Sequence, residues 1–265
     1  MQDRKFYQAK LREYICFRKL VMDNTKEWFA SWFDSPFYRE LYAHRTGEEA
    51  RAFILRLIEK LNLPKRASVL DVCCGNGRHS AVFSEKSYNV VGIDISEKSL
   101  EEAKARNLES TKFHNADARF FELHERFDCV LNLFTSFGYF ETTEEHIEML
   151  QRIYEHLKDN GVFVFDFFNA EKVRAAGSED RKVVKDGAEF HITKEITNNR
   201  VIKHIRIQKE SARMDFQESV ALYSKEQLVE MFEVIGFKNI NTYGDYELGS
   251  FDSANSDRCI IICSK

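Results

Sequence analysis

The segment Asp71-Val-Cys-Cys-Gly-Asn-Gly77, directly behind the apolar run Ala67-Ser-Val-Leu70, constrains the fold of this 265-residue chain more than any other stretch. An apolar run entering two closely spaced glycines reads as a buried strand, a tight turn and the start of a helix. In an α/β sheet such a turn lets a nucleotide-like ligand approach bare backbone. About twenty residues on, Tyr88-Asn-Val-Val-Gly-Ile-Asp94 reads as a second buried strand ending in a carboxylate. An acid at that place suits the two hydroxyls of a ribose.

The neighbouring sequence continues the alternation. Strands are expected at 68–72, 89–93, 111–115, 127–133 and 162–167, with helices near 77–86, 97–107 and 143–158. Thr142 and Glu145 form a capping box ahead of Ile147, Leu150, Ile153 and Leu157 at helical spacing. Asn160-Gly161 then turns the chain into Val162-Phe-Val-Phe-Asp166. This order argues for a parallel sheet with helices on both faces.

Residues 1–44 are aromatic-rich and helical in pattern, and Thr46 is placed to cap a helix carrying Ala50, Phe53, Ile54, Leu57, Ile58 and Leu61. After Asn169 the period changes to two: Phe190, Ile192 and Ile196, then Ile205 and Ile207, then Val220 and Leu222. Asp186-Gly187 and Asn198-Asn199 separate these runs as hairpin turns. Ser224 with Gln227 caps a helix over Lys225–Ile235, Gly236 ends it, and Lys238–Tyr243 and Arg258–Cys263 supply two last strands. The expected architecture is α/β: a Rossmann-like, doubly wound seven-stranded sheet over 49–170 and 224–265, an N-terminal helical segment over 1–48, and an inserted antiparallel β-sheet over 171–223.

Composition narrows the function. A net charge of −4 provides no basic face for nucleic acid, and the early basic residues (Arg4, Lys5, Lys10, Arg12, Arg18 and Lys19) are interleaved with Asp3 and Glu13. No apolar stretch approaches the ~20 residues of a bilayer span, and the start of the chain lacks the apolar segment of a signal peptide. The six cysteines form no Cys-x-x-Cys pair; four lie in segments that read as core strands or the turn after one and behave as small hydrophobes. The adjacent Cys73 and Cys74 have no second cluster with ligand spacing for metal or redox chemistry, and a reducing, cytoplasmic compartment is expected. The eight histidines show no metal-ligand spacing, and no metal is expected.

These residues resemble a class I S-adenosylmethionine-dependent methyltransferase over roughly 65–265. Val69-Leu-Asp71-x-Cys73-x-Gly75-x-Gly77 resembles the family's first motif, with cysteine where its first glycine is usual. Asp94, followed by Ile95, matches the ribose-binding acid, and Asn115-Ala-Asp117-Ala118 resembles the motif that grips adenine. Asn132-Leu-Phe-Thr-Ser-Phe-Gly-Tyr139 resembles the loop lining the methionine end in enzymes acting on sugar or metabolite amines. In that subgroup both an N-terminal aromatic segment and inserted strands cover the active site.

The resemblance implies S-adenosylmethionine as cofactor, with Asp71, Cys73, Gly75, Gly77, Asp94, Ile95, Asp117, Ala118, Asn132, Leu133 and Tyr42 around it. Arg45 and Arg78 are candidates for its carboxylate, which a guanidinium fork suits. The partner is a small-molecule acceptor with a nucleophilic nitrogen or oxygen; membranes are not expected, and homodimer formation is left open. Aligning acceptor, methyl and sulfur supplies roughly 7–11 kcal/mol of such a barrier. A lid excludes water, and the cluster Trp32, Phe33, Phe37, Tyr38 and Tyr42 is the candidate lid. Tyr139 and Tyr38 are the candidate catalytic residues, with no general base singled out among Tyr139, His79, Asp166 and Asp252.

Each motif also has a plainer reading, as a tight connection, a helix cap or a solvated turn acid. Three other functions share parts of the pattern: methyl transfer to nucleic acid or protein, NAD(P)-dependent oxidoreduction, and cofactor binding without catalysis.

Overall fold

The structure, a computed structural model, describes residues 27–43 and 47–265. Helical pattern over 1–26, Cys16 and the Thr46 cap lie outside the described residues. Helices α1 (Trp28–Phe33), α2 (Pro36–Tyr42) and α3 (Gly47–Leu61) precede strand β1 (Ser68–Val72). The chain continues as α4 (Arg78–Glu85), β2 (Asn89–Asp94), α5 (Glu97–Ala105), β3 (Thr111–Asn115) and β4 (Phe127–Asn132). Helix α6 (Thr143–His156), β5 (Leu157–Phe168) and α7 (Ala170–Ala176) follow, then four strands, β6 (Glu179–Lys185), β7 (Ala188–Ile196), β8 (Arg200–Lys209) and β9 (Ala212–Ala221). Helix α8 (Lys225–Ile235), β10 (Lys238–Tyr243) and β11 (Arg258–Ser264) close the chain.

The larger sheet has seven strands in the order β3-β2-β1-β4-β5-β11-β10, parallel except for β11, which runs against both neighbours. From β1 the chain winds outward through β2 and β3, then restarts on the other side with β4. The switch point between β1 and β4 is where open α/β sheets bind ligands. β1 buries Val69 to Val72 without interruption because both of its faces are covered. On one face Leu70, Val72, Val130 and Phe165 pack against α6 and α8 through Leu150, Ile153 and Phe232. On the other, Val69, Leu131 and Ile260 meet Phe53 and Leu57 of α3 and Phe83 of α4.

The capping boxes expected ahead of α6 and α8 both form. Two elements differ from expectation. β5 starts at Leu157, five residues before its expected start, because Asn160 (φ 61°) and Gly161 form an irregularity inside the strand, where the register with β4 shifts. Helix α7 lies in the stretch expected as β insertion, and the Asn169 side chain caps it by accepting from the Glu171 amide at 3.2 Å. The second sheet is an antiparallel meander, β6-β7-β8-β9, with Asp186 (φ 46°) and Gly187 (φ 77°) making the first hairpin turn. Its buried face, Ala188, Phe190, Ile192, Ile205 and Ile207, packs on Trp32 and Leu41. Helices α1 and α2 therefore sit between the two sheets, since Phe29 of α1 belongs to the core of the large one.

Gly92 shows how closely the site's scaffold is packed. A Cβ there would lie 2.6 Å from the Phe113 ring and 2.8 Å from Cys74 Sγ. Gly92→Ala is therefore expected to destabilise the protein by about 1–3 kcal/mol, read as a lower urea midpoint at unchanged m-value.

Candidate active site

A cleft of about 400 Å³ opens at the carboxyl ends of the central strands, between the turn after β1, the loop after β4 and helices α1 and α2. Its floor is the turn after β1, in which Cys73 (φ 61°), Gly75 (φ 54°) and Gly77 (φ 71°) are all left-handed. The two glycines do different work. Gly75 faces open space, with nothing within 4 Å of where a Cβ would stand, so its backbone is available to a ligand. A Cβ on Gly77 would lie 2.9 Å from the Phe113 ring, so Gly77 allows the turn to pack and does not line the cleft. Cys73 lines the cleft, and burial, reinforced by Asp94, Asp117 and Asp71, pushes its thiol well above the usual range. It is a neutral wall residue, not a nucleophile.

Asp94 is 8% exposed at the end of β2. Its Oδ2 accepts from the Gly75 amide and its Oδ1 from the Ser96 amide, each at 2.8 Å. Burial raises its pKa, and the amides of Ser96, Gly75 and Ile95 oppose that rise. The result is a carboxylate with fixed orientation that lines the cleft.

Asp117 and Ala118 line the far end, joined by a residue that no motif pointed to. Arg119 is 2% exposed and lies among three carboxylates. It donates to Asp117 Oδ2 at 2.6 Å, to Glu145 Oε1 at 2.9 Å and to Glu27 Oε1 at 2.9 Å. Burial disfavours the guanidinium charge, but the bonds to Asp117 and Glu27 outweigh it and raise its pKa. Glu27 and Glu145 are 92 and 26 residues away in sequence, so only folding assembles the group. Close by, buried Glu148 has an Oε1 without a protein partner, and burial pushes its carboxyl up to about 7.

The remaining wall is aromatic. Tyr139 touches Trp28 and Phe33, each with ring centroids 5.4 Å away, and Tyr38 touches Phe33 at 5.0 Å and Tyr42 at 5.1 Å. Tyr38, Tyr42, Phe33, Ile95, Leu133 and Tyr139 all line the cleft. Arg78 also lines it, its guanidinium 3.9 Å from the Phe134 ring centroid. Trp32 and Phe37 of the expected lid cluster face the antiparallel sheet instead, against Phe216 and Phe190.

Three residues expected at the cofactor stand behind the wall. Asp71 is buried and receives the Ser80 hydroxyl at 2.6 Å, which ties the start of α4 to the end of β1. Burial pushes its carboxyl up to about 6. Asn132 is buried and donates to Val72 O and Ser136 O, both at 3.1 Å, holding the loop after β4 against β1. Gly77 is the third, for the packing reason above. Arg45 lies outside the described residues.

Among the candidate bases, Tyr139 and His79 line the cleft, and burial lowers the His79 pKa well below its ordinary value. Asp166 is fully buried, accepting from Arg258 Nε at 2.7 Å and the Phe134 amide at 2.9 Å. Asp252 is exposed and caps a turn through the Ala254 and Asn255 amides. Sequence reasoning missed Ser99, Asn76 and the Arg39–Glu102 ion pair, which all line the cleft. That pair and the Ser96–Asp34 hydrogen bond (2.6 Å) join α2 and its preceding turn to α5.

The doubly wound sheet, its reversed β11 and a strand-end cleft define the class I methyltransferase architecture. A family described as "Methyltransferase domain" matches residues 42–242, and the chain belongs to that family. A dTDP-3-amino-3,4,6-trideoxy-alpha-D-glucopyranose N,N-dimethyltransferase of Streptomyces venezuelae is 37% identical over 103 residues, 39% of this chain and 43% of that protein. A dTDP-3-amino-3,6-dideoxy-alpha-D-glucopyranose N,N-dimethyltransferase of Streptomyces fradiae is 32% identical over 123 residues, 46% of each. The matched part is thus less than half the length of either relative. In fold, a S-adenosylmethionine-dependent methyltransferase from Clostridium acetobutylicum superposes with a TM-score of 0.74 at 19% identity, covering 86% of this chain and 96% of that one. The expected family and architecture are borne out.

Glu148 makes stability depend on pH. Between the ordinary glutamate range and about 7 the unfolded chain releases a proton that the folded chain keeps. Its contribution to stability therefore falls as pH rises through that window and stays low above it. Glu148→Gln removes this slope, so its melting temperature relative to wild type is expected to rise from pH 5 to pH 8, measured by calorimetry.

Proposed function

We propose that this chain transfers a methyl group from S-adenosylmethionine to the amine of a small-molecule acceptor, with an amino sugar as the favoured class. The observation that carries the reading is the pairing of Asp94 with the Gly75 amide at the sheet's switch point, directly below an aromatic chamber. The residues present fit the cofactor. Asp94 is a buried carboxylate lining the cleft, fixed in orientation by the Gly75 and Ser96 amides and acceptor-only as a ribose diol requires, and Gly75 leaves open space where its backbone meets a ligand. Asp117 and Ala118 suit adenine at the far end, and Arg78 suits the cofactor's carboxylate.

When bound, S-adenosylmethionine supplies a sulfonium methyl already activated for displacement. The chain's task is then placement. Phe33, Tyr38 and Tyr139 form a wall that excludes water and orients the acceptor. The amine reacts as the neutral base with a free lone pair, and the ring faces stabilise the positive charge that nitrogen gains as the methyl arrives and holds until it loses a proton to solvent. Helices α1 and α2 act as the lid, held to the sheet domain by Glu27, Asp34 and Arg39. The amino-sugar class is supported by the names of the two curated relatives, which also do not favour a nucleic-acid or oxidoreductase reading. A reducing cytoplasm suits the five described cysteines, all free thiols.

Asp94→Ala is expected to weaken S-adenosylhomocysteine binding at least about ten-fold in isothermal titration, the cost of losing hydrogen bonds to a charged group. Unchanged affinity would remove the ribose assignment. Incubation with S-adenosylmethionine and dTDP-linked amino sugars should give mono- and dimethylated products by mass spectrometry; if only the hydroxyl positions gain methyl groups, the amine reading fails.

A further inference from the structure

Four consecutive residues of β9, 218 to 221, reach both parts of the aromatic wall, the helices α1 and α2 and the loop after β4. Glu218 is 9% exposed. Its Oε1 accepts from Trp32 Nε1 of α1 at 2.8 Å and from the Tyr42 hydroxyl of α2 at 2.7 Å. Lys203, its cross-strand partner in β8, donates to Glu218 Oε2 at 3.0 Å and to the Tyr42 oxygen at 3.1 Å. The next residues hold the other part of that wall, the loop after β4. Arg200, paired with Ala221, donates to Ser219 Oγ at 2.7 Å, to Phe140 O at 3.0 Å and to Gly138 O at 3.2 Å. The Ala221 amide also donates to Gly138 O at 2.8 Å. Gly138 (φ 86°) permits this approach, because a Cβ there would lie 2.8 Å from Val220 Cγ1.

We propose that this part of β9, with Arg200 and Lys203, is a clamp that fixes α1 and α2 against the loop after β4, the two parts of the aromatic wall that meet where Tyr139 packs on Trp28 and Phe33. Glu218 and Arg200 are positioning residues for acceptor placement, acting through Tyr42 on one side and Tyr139 on the other. The assignment of the chamber to an acceptor rests on the function proposed above. Glu218 serves as an anchor and not as a proton relay. Burial alone would raise its pKa, but Lys203 and the Tyr42 and Trp32 hydrogen bonds outweigh that and hold the carboxyl below its ordinary range, which makes it a poor base. Arg200 reaches the carbonyls of Gly138, Tyr139 and Phe140 on the loop and of Ser219 on β9 with a fork that a single ammonium cannot reproduce.

The test is amide hydrogen exchange on the full chain, with tryptophan emission as a second readout. The chain's two tryptophans, Trp28 and Trp32, both lie in α1, against Tyr139 and Glu218. Glu218→Ala is expected to speed exchange about ten-fold in 28–42, and also in 136–140, which it does not touch. Arg200→Ala should do the same in reverse, and both should red-shift the emission. Glu218→Gln should restore part of the protection, whereas Arg200→Lys should not. Exchange in β1, β2 and β4 should stay at wild-type rates.

Faster exchange confined to the part of the wall each residue touches, equal rescue by Arg200→Lys, or acceleration throughout the large sheet would each overturn the clamp. Should Glu218→Ala not fold, Glu218→Gln and Lys203→Met carry the same comparison. Exchange needs no acceptor, so this outcome is separate from whether methyl transfer is detected.

Discussion

The hydrogen bond from the Gly75 amide to the Asp94 carboxylate is the contact on which the rest of this site depends. It joins the turn after β1 to the end of β2 beside the point where the sheet changes winding direction. A left-handed Gly75 aims its N–H sideways at the acid, and the same conformation exposes its backbone to the cleft. The Ser96 amide at the start of α5 completes the grip. Orientation of the acid and openness of the floor are therefore one structural event.

Holding acids in place there has an electrostatic cost. Burial raises the carboxyls of Asp94, which lines the cleft, and of Asp71 and Glu148, which lie behind it. The fold offsets part of this with backbone amides at Asp94, the Ser80 hydroxyl at Asp71 and the Arg119 guanidinium among its three carboxylates. Glu148 receives the least: one of its oxygens is buried without a protein partner.

Helices α1 and α2 derive their position from both sheets at once. Phe29 belongs to the large core, Trp32 to the core under the antiparallel sheet, and Glu27, Asp34 and Arg39 make polar contacts with the large-sheet domain. The antiparallel sheet reaches the cleft through α1, α2 and the loop after β4, by way of Glu218 and Arg200. The chamber is thus bounded by elements from three separate parts of the chain.

Local patterning alone determined the order of strands and helices, both capping boxes, the left-handed turn after β1 and the place of Asp94, because each depends on residues within about one element's length of each other. It also marked the change to period two that announces the antiparallel sheet. Tertiary structure decided which residues face the cleft. Asp71, Gly77 and Asn132 carry the right motif positions yet point into packing, and β5 begins early because Asn160 and Gly161 are absorbed as an irregularity against β4. Arg119 with Glu27 and Glu145, Arg39 with Glu102, and Glu218 with Trp32 and Tyr42 carry no local signature at all. Their partners lie far apart in sequence, and a charge or hydroxyl has no periodicity that shows, before folding, what it will meet.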